Sequence, residues 1–446
     1  MLRTSGVVGH WAAAAAVVLF AALPARAQYG GMGGFGGMGA GMGAGTDTGN
    51  SSSSQSPRFM FRPWISANGS YMDSRANIAN APTYDTYGYG GSAGLSGGRA
   101  FSRTMVAGFY TATYQRYSQS LYTRGLSQVG GITVQHQASQ KVSIFGSQFA
   151  GSSNGGYGYG APAGAFGGWG TTGSSLFSDL AAGGLGFGDF ASNGLVDNEL
   201  YATRVHFTGT SGGVTYQPNL RWSFTGMGSA SFVRRKSSGL SDLNAYNGGG
   251  QVGYRLGQFS QISAYYMAGQ FSYPNMFGGN RVQQVGLGYR NKLGQLTTFS
   301  LMLGGYRFNT TQLANVSVDP TLGGLLGQGS MLSIRNMSRL GWTGTVALNR
   351  SWHNWSAGIS YNHGVSPGNG AVLASDRDTV VGNASTHFGR LSLGAFAGYY
   401  RMSGILQRGL STDNVSLGGT TGFKIADDIY CGASLGYSRF DAGVIQ

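Results

Sequence analysis

The sequence predicts an all-β protein, an antiparallel transmembrane β-barrel of about 16–18 strands with short periplasmic turns and long outer loops. Three observations predict this fold class. In segments of about ten residues, apolar side chains alternate with small or polar ones. Short and long connections alternate between these segments, and aromatic residues occur near the segment ends. The composition agrees with this, because only 10% of the residues are charged and 81 are glycine.

The range 294–308, GQLTTFSLMLGGYRF, shows the alternation most clearly. Read with a period of two, Phe299 and Leu301 fall on one face, while Thr298 and Ser300 fall on the other. A period of two is the repeat of a β-strand, so this segment has one apolar face and one small, polar face. In a membrane barrel the apolar face would meet hydrocarbon.

Strand-like segments of this kind run from Phe59 to the end of the chain. They cover residues 60–73, 91–99, 104–117, 126–138, 141–150, 200–216, 221–235, 244–256, 258–272, 281–291, 295–308, 339–350, 354–362, 378–388, 391–402, 411–424 and 429–440. Their number is odd, whereas single-chain bacterial barrels usually have an even number of strands. We therefore expect that segment 60–73 or 91–99 is not a strand, or that the C-terminus is truncated or atypical. The ending DAGVIQ, without a terminal Phe, favours the second.

The connections between the segments alternate in length. The tight ones are Ala100–Arg103, Ser139–Gln140, Gln217–Leu220, Gly257, Lys292–Gly294, Ser351–His353, Gly389–Arg390 and Ile425–Asp428. The long ones include Gly151–Asn198, Asn309–Ser338 and Gly364–Arg377. Tight turns on one side and extended loops on the other are typical of a barrel inserted from one side of a membrane. A secreted solenoid is the alternative, but it would need a constant repeat length.

The same phase assigns a lipid face and a lumen face to the best-defined segments. The predicted lipid face carries Trp222, Phe224, Phe232, Val252, Tyr254, Leu256, Ile262, Ala264, Tyr266, Val285, Leu287, Tyr289, Leu391, Leu393, Ala395 and Tyr399. The predicted lumen face carries Ser223, Thr225, Gln251, Gly253, Gln284, Gly286, Gly288, Ser392 and Gly394.

The chain divides into three parts. Residues 1–27 are predicted to be a cleaved secretory signal, with Arg3, the apolar run Ala12–Leu23 and the cleavage motif Ala25-Arg26-Ala27. Residues 28–58 are predicted to be a flexible periplasmic tail rich in Gly, Met and Ser. Residues 59–446 form the predicted barrel, located in the bacterial outer membrane. An uncleaved membrane anchor is the alternative to the signal, but its apolar run is short for a span.

The basic residues carry the main functional signal, since the formal net charge is +14. By phase, five arginines should line the lumen with His206 beside them: Arg204, Arg221, Arg235, Arg255 and Arg290. Rings of Arg favour anions or phosphates in a pore. The alternative is structural pairing with loop carboxylates such as Asp197, Glu199 and Asp242. Two further arginines, Arg307 and Arg401, have lipid-side phase at the outer end, where they could meet lipopolysaccharide headgroups.

No enzyme, cofactor or metal site is predicted. The histidines show no metal-ligand spacing, and the Gly-rich strings follow no strand and open no helix. An enzyme at the barrel rim is kept as a third hypothesis for His363, Asp376 and Asp378, with solvated loop residues as the simpler interpretation. Nucleic acid is not a predicted partner, because the arginines are spread over strands.

The sequence from Tyr361 to Leu373, followed by Asp376–Thr379, Asn383–Gly389 and Leu391–Tyr399, resembles a family of poorly characterised bacterial outer-membrane barrel proteins. A Gly/Ser-rich HGVS-G-G loop is followed there by a charged strand start and a tight hairpin. Some members of that family are similar to barrels that accompany surface-polysaccharide systems. The resemblance implies an outer-membrane barrel and assigns no catalytic or binding residue.

The predicted function is a porin-like channel or export barrel whose basic lumen passes anionic solutes or an acidic polysaccharide. The alternative is a non-conducting structural or adhesive surface barrel, plugged by loop 151–198. In both cases the expected partners are outer-membrane lipid, lipopolysaccharide and the barrel-assembly machinery.

Overall fold

The computed structural model describes residues 60–76, 84–118, 125–154, 204–236, 241–274, 278–294, 296–317, 330–352, 354–368, 373–405, 410–426 and 429–444. The predicted signal 1–27 and the predicted tail 28–58 lie outside these residues. So does the predicted loop 151–198, except for residues 151–154. Within the described part, no helix is long and apolar enough to cross a membrane.

The described residues form 17 strands: β1 (Met60–Ala76), β2 (Tyr84–Ala100), β3 (Thr104–Tyr117), β4 (Gly125–Gln137), β5 (Val142–Asn154), β6 (Arg204–Tyr216), β7 (Trp222–Arg235), β8 (Leu243–Arg255), β9 (Ser260–Ser272), β10 (Gly279–Leu293), β11 (Thr297–Ser317), β12 (Ser330–Ser351), β13 (Trp355–Gly368), β14 (Leu373–Phe388), β15 (Leu391–Gly404), β16 (Leu410–Ala426) and β17 (Ile429–Val444). Each strand pairs with its chain neighbours in antiparallel fashion, and β1 also pairs with β17, so the sheet closes into a barrel. The predicted all-β barrel is confirmed.

The ring closes between two parallel strands. Strand directions alternate around the ring, so an odd number of strands must leave one parallel pair, and this pair is β1 with β17. Both segments held in question, 60–73 and 91–99, are strands. The expectation that one of them was misassigned, or that closure lacked a strand, is therefore wrong.

Buried side-chain hydrogen bonds cross this closure on the inner face. The Ser434 hydroxyl donates to Asn68 Oδ1 at 3.1 Å, and Asn68 Nδ2 donates to Ser92 Oγ at 2.6 Å. The hydroxyl of Thr113 donates to the same Ser92 at 3.0 Å. Four strands, β17, β1, β2 and β3, are thus joined by polar side chains. Such a satisfied network inside a low-dielectric region fixes strand register.

The two ends of the barrel differ in the length of their connections. At one end the strands are joined by connections as short as 389–390 and no longer than 217–221. At the other end the connections run from 369–372 up to 155–203. We call these the short-connection end and the long-connection end. The predicted alternation is confirmed except at Gly364–Arg377, where strands β13 and β14 extend into the predicted loop and leave only 369–372 between them.

The outer face of the sheet is apolar over most of its height. On β10, Val285 and Leu287 are 63% and 69% exposed, whereas Gln284 on the opposite face is 1% exposed. The faces predicted for β7, β8, β9, β10 and β15 are confirmed by the same alternation. Such a continuous apolar outer surface would be unstable in water, so it indicates contact with hydrocarbon.

Candidate functional site: the lumen

The lumen wall formed by β7–β11 begins, at the short-connection end, with a row of basic residues. Arg255 N donates to the carbonyl oxygen of Arg221 at 2.8 Å, and Gln261 pairs with Arg255 on one side and with Arg290 on the other. Paired residues of a sheet face the same side, and these face inward. Arg255 and Arg290 therefore lie on β8 and β10, and Arg221 directly precedes β7. These three residues, called here the arginine row, lie at the mouth of the lumen.

No carboxylate of the described residues lies near the arginine row. The described acidic residues all belong to the long-connection half: Asp73, Asp85, Asp242, Asp376, Asp378, Asp413 and Asp441. In the short connections the sequence adds only Asp427 and Asp428, between β16 and β17 and outside the described residues. Among the described residues, the positive charge of this mouth is therefore not balanced by nearby carboxylates.

Small and polar side chains follow deeper in the lumen. Gln251 and Tyr265 pair in register and are both buried. The Tyr265 ring lies over two glycines: a Cβ would come within 2.5 Å of its hydroxyl oxygen at Gly286 and within 2.7 Å at Gly304. Glycine is needed at both positions because the ring lies flat against the wall. The absence of side chains here lets the aromatic ring occupy the lumen without pushing strands apart.

The long-connection half of the lumen holds a large cluster of buried apolar side chains. The cluster reaches from β4 to the residues after β15 and includes Val205, Phe207, Val233, Leu243, Phe271 and Phe308. Among these, Val205 is 0% and Phe308 is 1% exposed. Buried polar side chains such as Asn280, Arg377 and Asn414 lie in the same half. The apolar part of this inner face differs from the lining of a water-filled pore, which is polar.

The strands β12 and β13 separate in the long-connection half. Their pairing extends from Ser351 and Ser356 only to Gly344 and His363, whereas β12 pairs with β11 as far as Ser330. Beyond this point β13 continues to pair with β14, up to Gly368. The end of the β13–β14 hairpin is thus detached from β12, and we call its described residues, 364–368 and 373–376, the hairpin tip.

The hairpin tip lies on the lumen side of β11 and β12. Asp376 has outward phase on β14, yet its carboxylate accepts a hydrogen bond from the Tyr306 hydroxyl and pairs with Arg339 Nη2 at 2.8 Å. Tyr306 and Arg339 both have inward phase, on β11 and β12. The outer face of the tip therefore packs against the inner face of the neighbouring wall, and this part of the wall is overlapped from inside.

A second contact holds the tip from β9. The backbone N–H of Ala374 donates to the Tyr273 hydroxyl oxygen at 2.9 Å, and Ile405 N donates to the carbonyl oxygen of Ala374 at 2.7 Å. Ala374 is fully buried and has a φ of 45°. Tyr273 follows the end of β9, and burial raises the pKa of its phenol, so the hydroxyl stays neutral. The two anchors, at Asp376 and Ala374, hold the tip across the lumen.

The base of the hairpin tip carries the group predicted as a rim enzyme. His363 Nδ1 lies 2.8 Å from Asp378 Oδ1, the Tyr361 hydroxyl donates to the same oxygen at 2.8 Å, and the Trp342 ring stacks on His363 with centroids 3.9 Å apart. Asp376 is not part of this group, because it faces Tyr306 and Arg339 instead. Across the described residues no three His, Cys, Asp or Glu side chains form a metal cluster. The geometry is that of a packed joint between strands.

The structure corrects the predicted lumen position of Arg204 and His206. Both are exposed on the outward face of β6. The residues that alternate with them, Val205 and Phe207, are buried on the inner face. The rule that apolar faces point outward reverses here, because the long-connection half has an apolar lumen. Arg204 is therefore not part of the arginine row.

The other predicted arginines keep their predicted faces. Arg235 is inward and buried. Its backbone N–H donates to Asp242 Oδ1 at 2.8 Å, and its guanidinium donates to the carbonyl oxygen of Ser241. Both partners belong to the connection between β7 and β8. Arg307 and Arg401 are outward and exposed. Arg307 Nε donates to Ser338 Oγ at 3.3 Å, and Arg401 Nε lies 3.8 Å from Asp413 Oδ1. Whether any of these contacts an anion or lipopolysaccharide stays a prediction.

The residues that hold the hairpin tip could not be identified from the sequence. Tyr273, Tyr306 and Arg339 act through partners 37–101 residues away in the chain, such as Ala374 and Asp376. A buried Arg377, over the Tyr400 ring at 5.7 Å, was also missed. The charged strand start Asp376-Arg377-Asp378 was the only sequence signal near them.

Gln284 lies inside the apolar part of the lumen, and neither of its amide atoms has a hydrogen-bond partner among the described residues. We expect Gln284→Met to raise the free energy of unfolding by about 1–3 kcal/mol, because an unpaired buried amide is replaced by an apolar side chain of similar size. Urea unfolding in detergent measures this. Gln217→Met, in an exposed connection outside the sheet, is the control and should give no gain. A loss of stability in Gln284→Met would show that water in the lumen binds the amide.

A closed sheet that is apolar outside and polar at one mouth defines the class of membrane-spanning β-barrels. No protein-family model matches the sequence, and a search of curated proteins gives no significant match.

Among solved structures, the chain is similar to the ferric yersiniabactin uptake receptor FyuA from Yersinia pestis, at 11% identity and a TM-score of 0.35, covering 86% of this chain and 62% of the receptor. The FrpB iron transporter from Neisseria meningitidis gives 9% identity and a TM-score of 0.37, covering 86% and 63%. The ferric-catecholate import receptor Fiu from E. coli K12 gives 9% and 0.38, covering 85% and 70%. The chain spans less than two thirds of the first two structures. These findings do not support a similarity to polysaccharide barrels, and we assign the fold from the closed sheet.

Proposed function

We propose that the chain is a gated outer-membrane channel for small anionic solutes, closed in the state described here. The observation that carries this proposal is the arginine row at the short-connection mouth, with no carboxylate of the described residues beside it. Positive charge in a lumen mouth raises the local concentration of anions and repels cations. The transport role is shared in general terms with iron receptors and transporters, but no substrate is carried over from them.

The closed state is supported by the apolar cluster and the hairpin tip. Phe271 and Phe308 are buried in the lumen, and Tyr273, just after β9, contacts Ala374 of the hairpin tip. An ion that passes apolar side chains loses part of its hydration, which costs several kcal/mol. Conduction therefore requires the tip to move away from β9 and β11. An acidic polysaccharide would require a still wider opening, so small anions are favoured.

A planar-bilayer experiment tests the proposal. We expect the intact barrel to open rarely and, when open, to give a reversal potential of the sign for anion preference in a KCl gradient. Heat-dependent gel mobility of the same sample checks that the barrel is folded. Cation preference in the open events would contradict the proposal.

The second candidate is a non-conducting structural barrel, which the apolar cluster also favours. Its predicted plug, loop 151–198, lies almost entirely outside the described residues. A folded barrel that shows no opening under any voltage, even after the hairpin tip is released, would favour this candidate.

A further inference from the structure

The Asp376 carboxylate differs in its position from the other described acidic side chains. Five of them have outward phase on their strands: Asp73, Asp85, Asp378, Asp413 and Asp441. Asp242 lies in the connection between β7 and β8. Asp376 instead bonds to two side chains of the lumen wall, and it reaches them from the detached hairpin tip. The closed state therefore places a carboxylate of the chain itself inside the lumen.

Tyr306 and Arg339 receive this carboxylate with one donor for each of its oxygens. The Tyr306 hydroxyl donates to Asp376 Oδ1, and Arg339 Nη2 lies 2.8 Å from Asp376 Oδ2. A guanidinium and a hydroxyl that converge on two oxygens fit a carboxylate or a phosphate better than a spherical anion such as chloride. We call Tyr306 and Arg339 the oxyanion site.

The oxyanion site belongs to the wall and not to the hairpin tip. Tyr306 lies in register with Gly341, and Arg339 lies in register with Phe308, in the continuous ladder of β11 and β12. A Cβ at Gly341 would overlap the Tyr306 ring, so glycine at this position lets the ring lie against β12. Both donors therefore stay in place when Asp376 moves away with the tip.

A solute can reach the oxyanion site before the tip moves. The Arg339 side chain is 51% exposed, whereas that of Asp376 is 16% exposed. A half-exposed ion pair is weak, and a carboxylate on a short tether acts at an effective concentration in the millimolar range. Free oxyanions at millimolar concentration can therefore compete with Asp376 for the same two donors.

We propose that the oxyanion site binds a small carboxylate or phosphate solute, which displaces Asp376 and releases the hairpin tip. The inference rests on the gated channel proposed above, and it names the class of solute that opens it. When Asp376 is displaced, the contact between Tyr273 and Ala374 remains as the second anchor of the tip. The bound oxyanion shifts the equilibrium toward the open state because the open state alone leaves both donors to the solute.

Labelling of a cysteine on the hairpin tip measures its release without any measurement of conductance. Ser375 is 0% exposed, and C431S removes the single cysteine of the sequence. In the C431S/S375C protein, we expect maleimide to label about three times faster in potassium acetate or potassium phosphate than in KCl of equal ionic strength. The rate should saturate at millimolar concentrations of either oxyanion. Heat-dependent gel mobility checks that the barrel is folded.

Arg339→Gln in the same background should label faster than the parent in KCl and should show no further increase with acetate or phosphate. The reason is that this variant loses both the partner of Asp376 and the charge that binds the solute. The matched control is Arg439→Gln, which removes the guanidinium of another Arg–Asp pair, that with Asp441 on β17. This control should keep the response of the parent.

Equal labelling rates of the parent in all three salts, or a response that persists in Arg339→Gln, would overturn the oxyanion site. A response to only one of the two oxyanions would support the site and identify its ligand as a carboxylate or a phosphate. Cation preference of the open barrel, together with an intact labelling response, would contradict the proposed anion channel and leave the oxyanion site standing.

Discussion

The variant Tyr273→Phe/Asp376→Ala should open about ten times more often than the parent barrel in planar bilayers. Tyr273→Phe removes the acceptor of the Ala374 N–H and keeps the ring, and Asp376→Ala removes the partner of Tyr306 and Arg339. Each contact contributes about 1 kcal/mol, less for the half-exposed Arg339 pair. Together they shift a two-state equilibrium by about tenfold or more.

The control for this variant is Asp441→Ala, which removes the carboxylate that accepts from Arg439 Nε at 3.1 Å. That pair is partly exposed on β17, three strands from β14, so its loss should leave the frequency of opening unchanged. Both proteins must show the gel mobility of a folded barrel. If the double variant is folded and opens no more often than the parent, the hairpin tip does not close the channel.

The second large effect is expected at the arginine row. In the background with the hairpin tip released, Arg221→Gln/Arg255→Gln/Arg290→Gln should bring the anion-to-cation permeability ratio close to one. Glutamine keeps much of the length and polarity of each side chain but removes three positive charges from the mouth. The measurement is the reversal potential in a KCl gradient, which should move toward zero.

A matched control removes three positive charges that are exposed on the outer face of the sheet: Arg281→Gln/Arg307→Gln/Arg401→Gln. This control should keep the anion preference, because these charges lie outside the wall and are screened over about 10 Å at 0.1 M salt. If the control changes the reversal potential as much as the arginine-row variant does, the preference comes from the overall positive charge of the barrel. If neither changes it, the selectivity has another source.

Most of the fold could be predicted from the sequence, because a period of two is a local property. Phe299 and Leu301 alternate with Thr298 and Ser300 whatever the rest of the chain does. The short connections are the few residues that remain between successive alternating segments. The closure could not be predicted in the same way. It depends on Asn68 and Ser434, 366 residues apart, meeting through a hydrogen bond.

The arginines show where the local rule stops. Arg221, Arg255 and Arg290 lie near the short-connection end, where the lumen is polar, and their phase was predicted correctly. Arg204 lies in the other half, where Val205 and Phe207 turn inward to join the apolar cluster. An alternating pattern identifies two faces, but only the contents of the lumen decide which of the two points inward.

The sequence by itself determined the β-barrel class, the faces of most strands and the basic character of the short-connection end. These properties belong to neighbouring residues and to composition. Only the tertiary structure decided that 17 strands close through a parallel pair, that the hairpin tip lies inside the wall, and that apolar side chains occupy part of the lumen. Each of these depends on contacts such as that of Tyr273 with Ala374, which form only when distant strands meet around the ring.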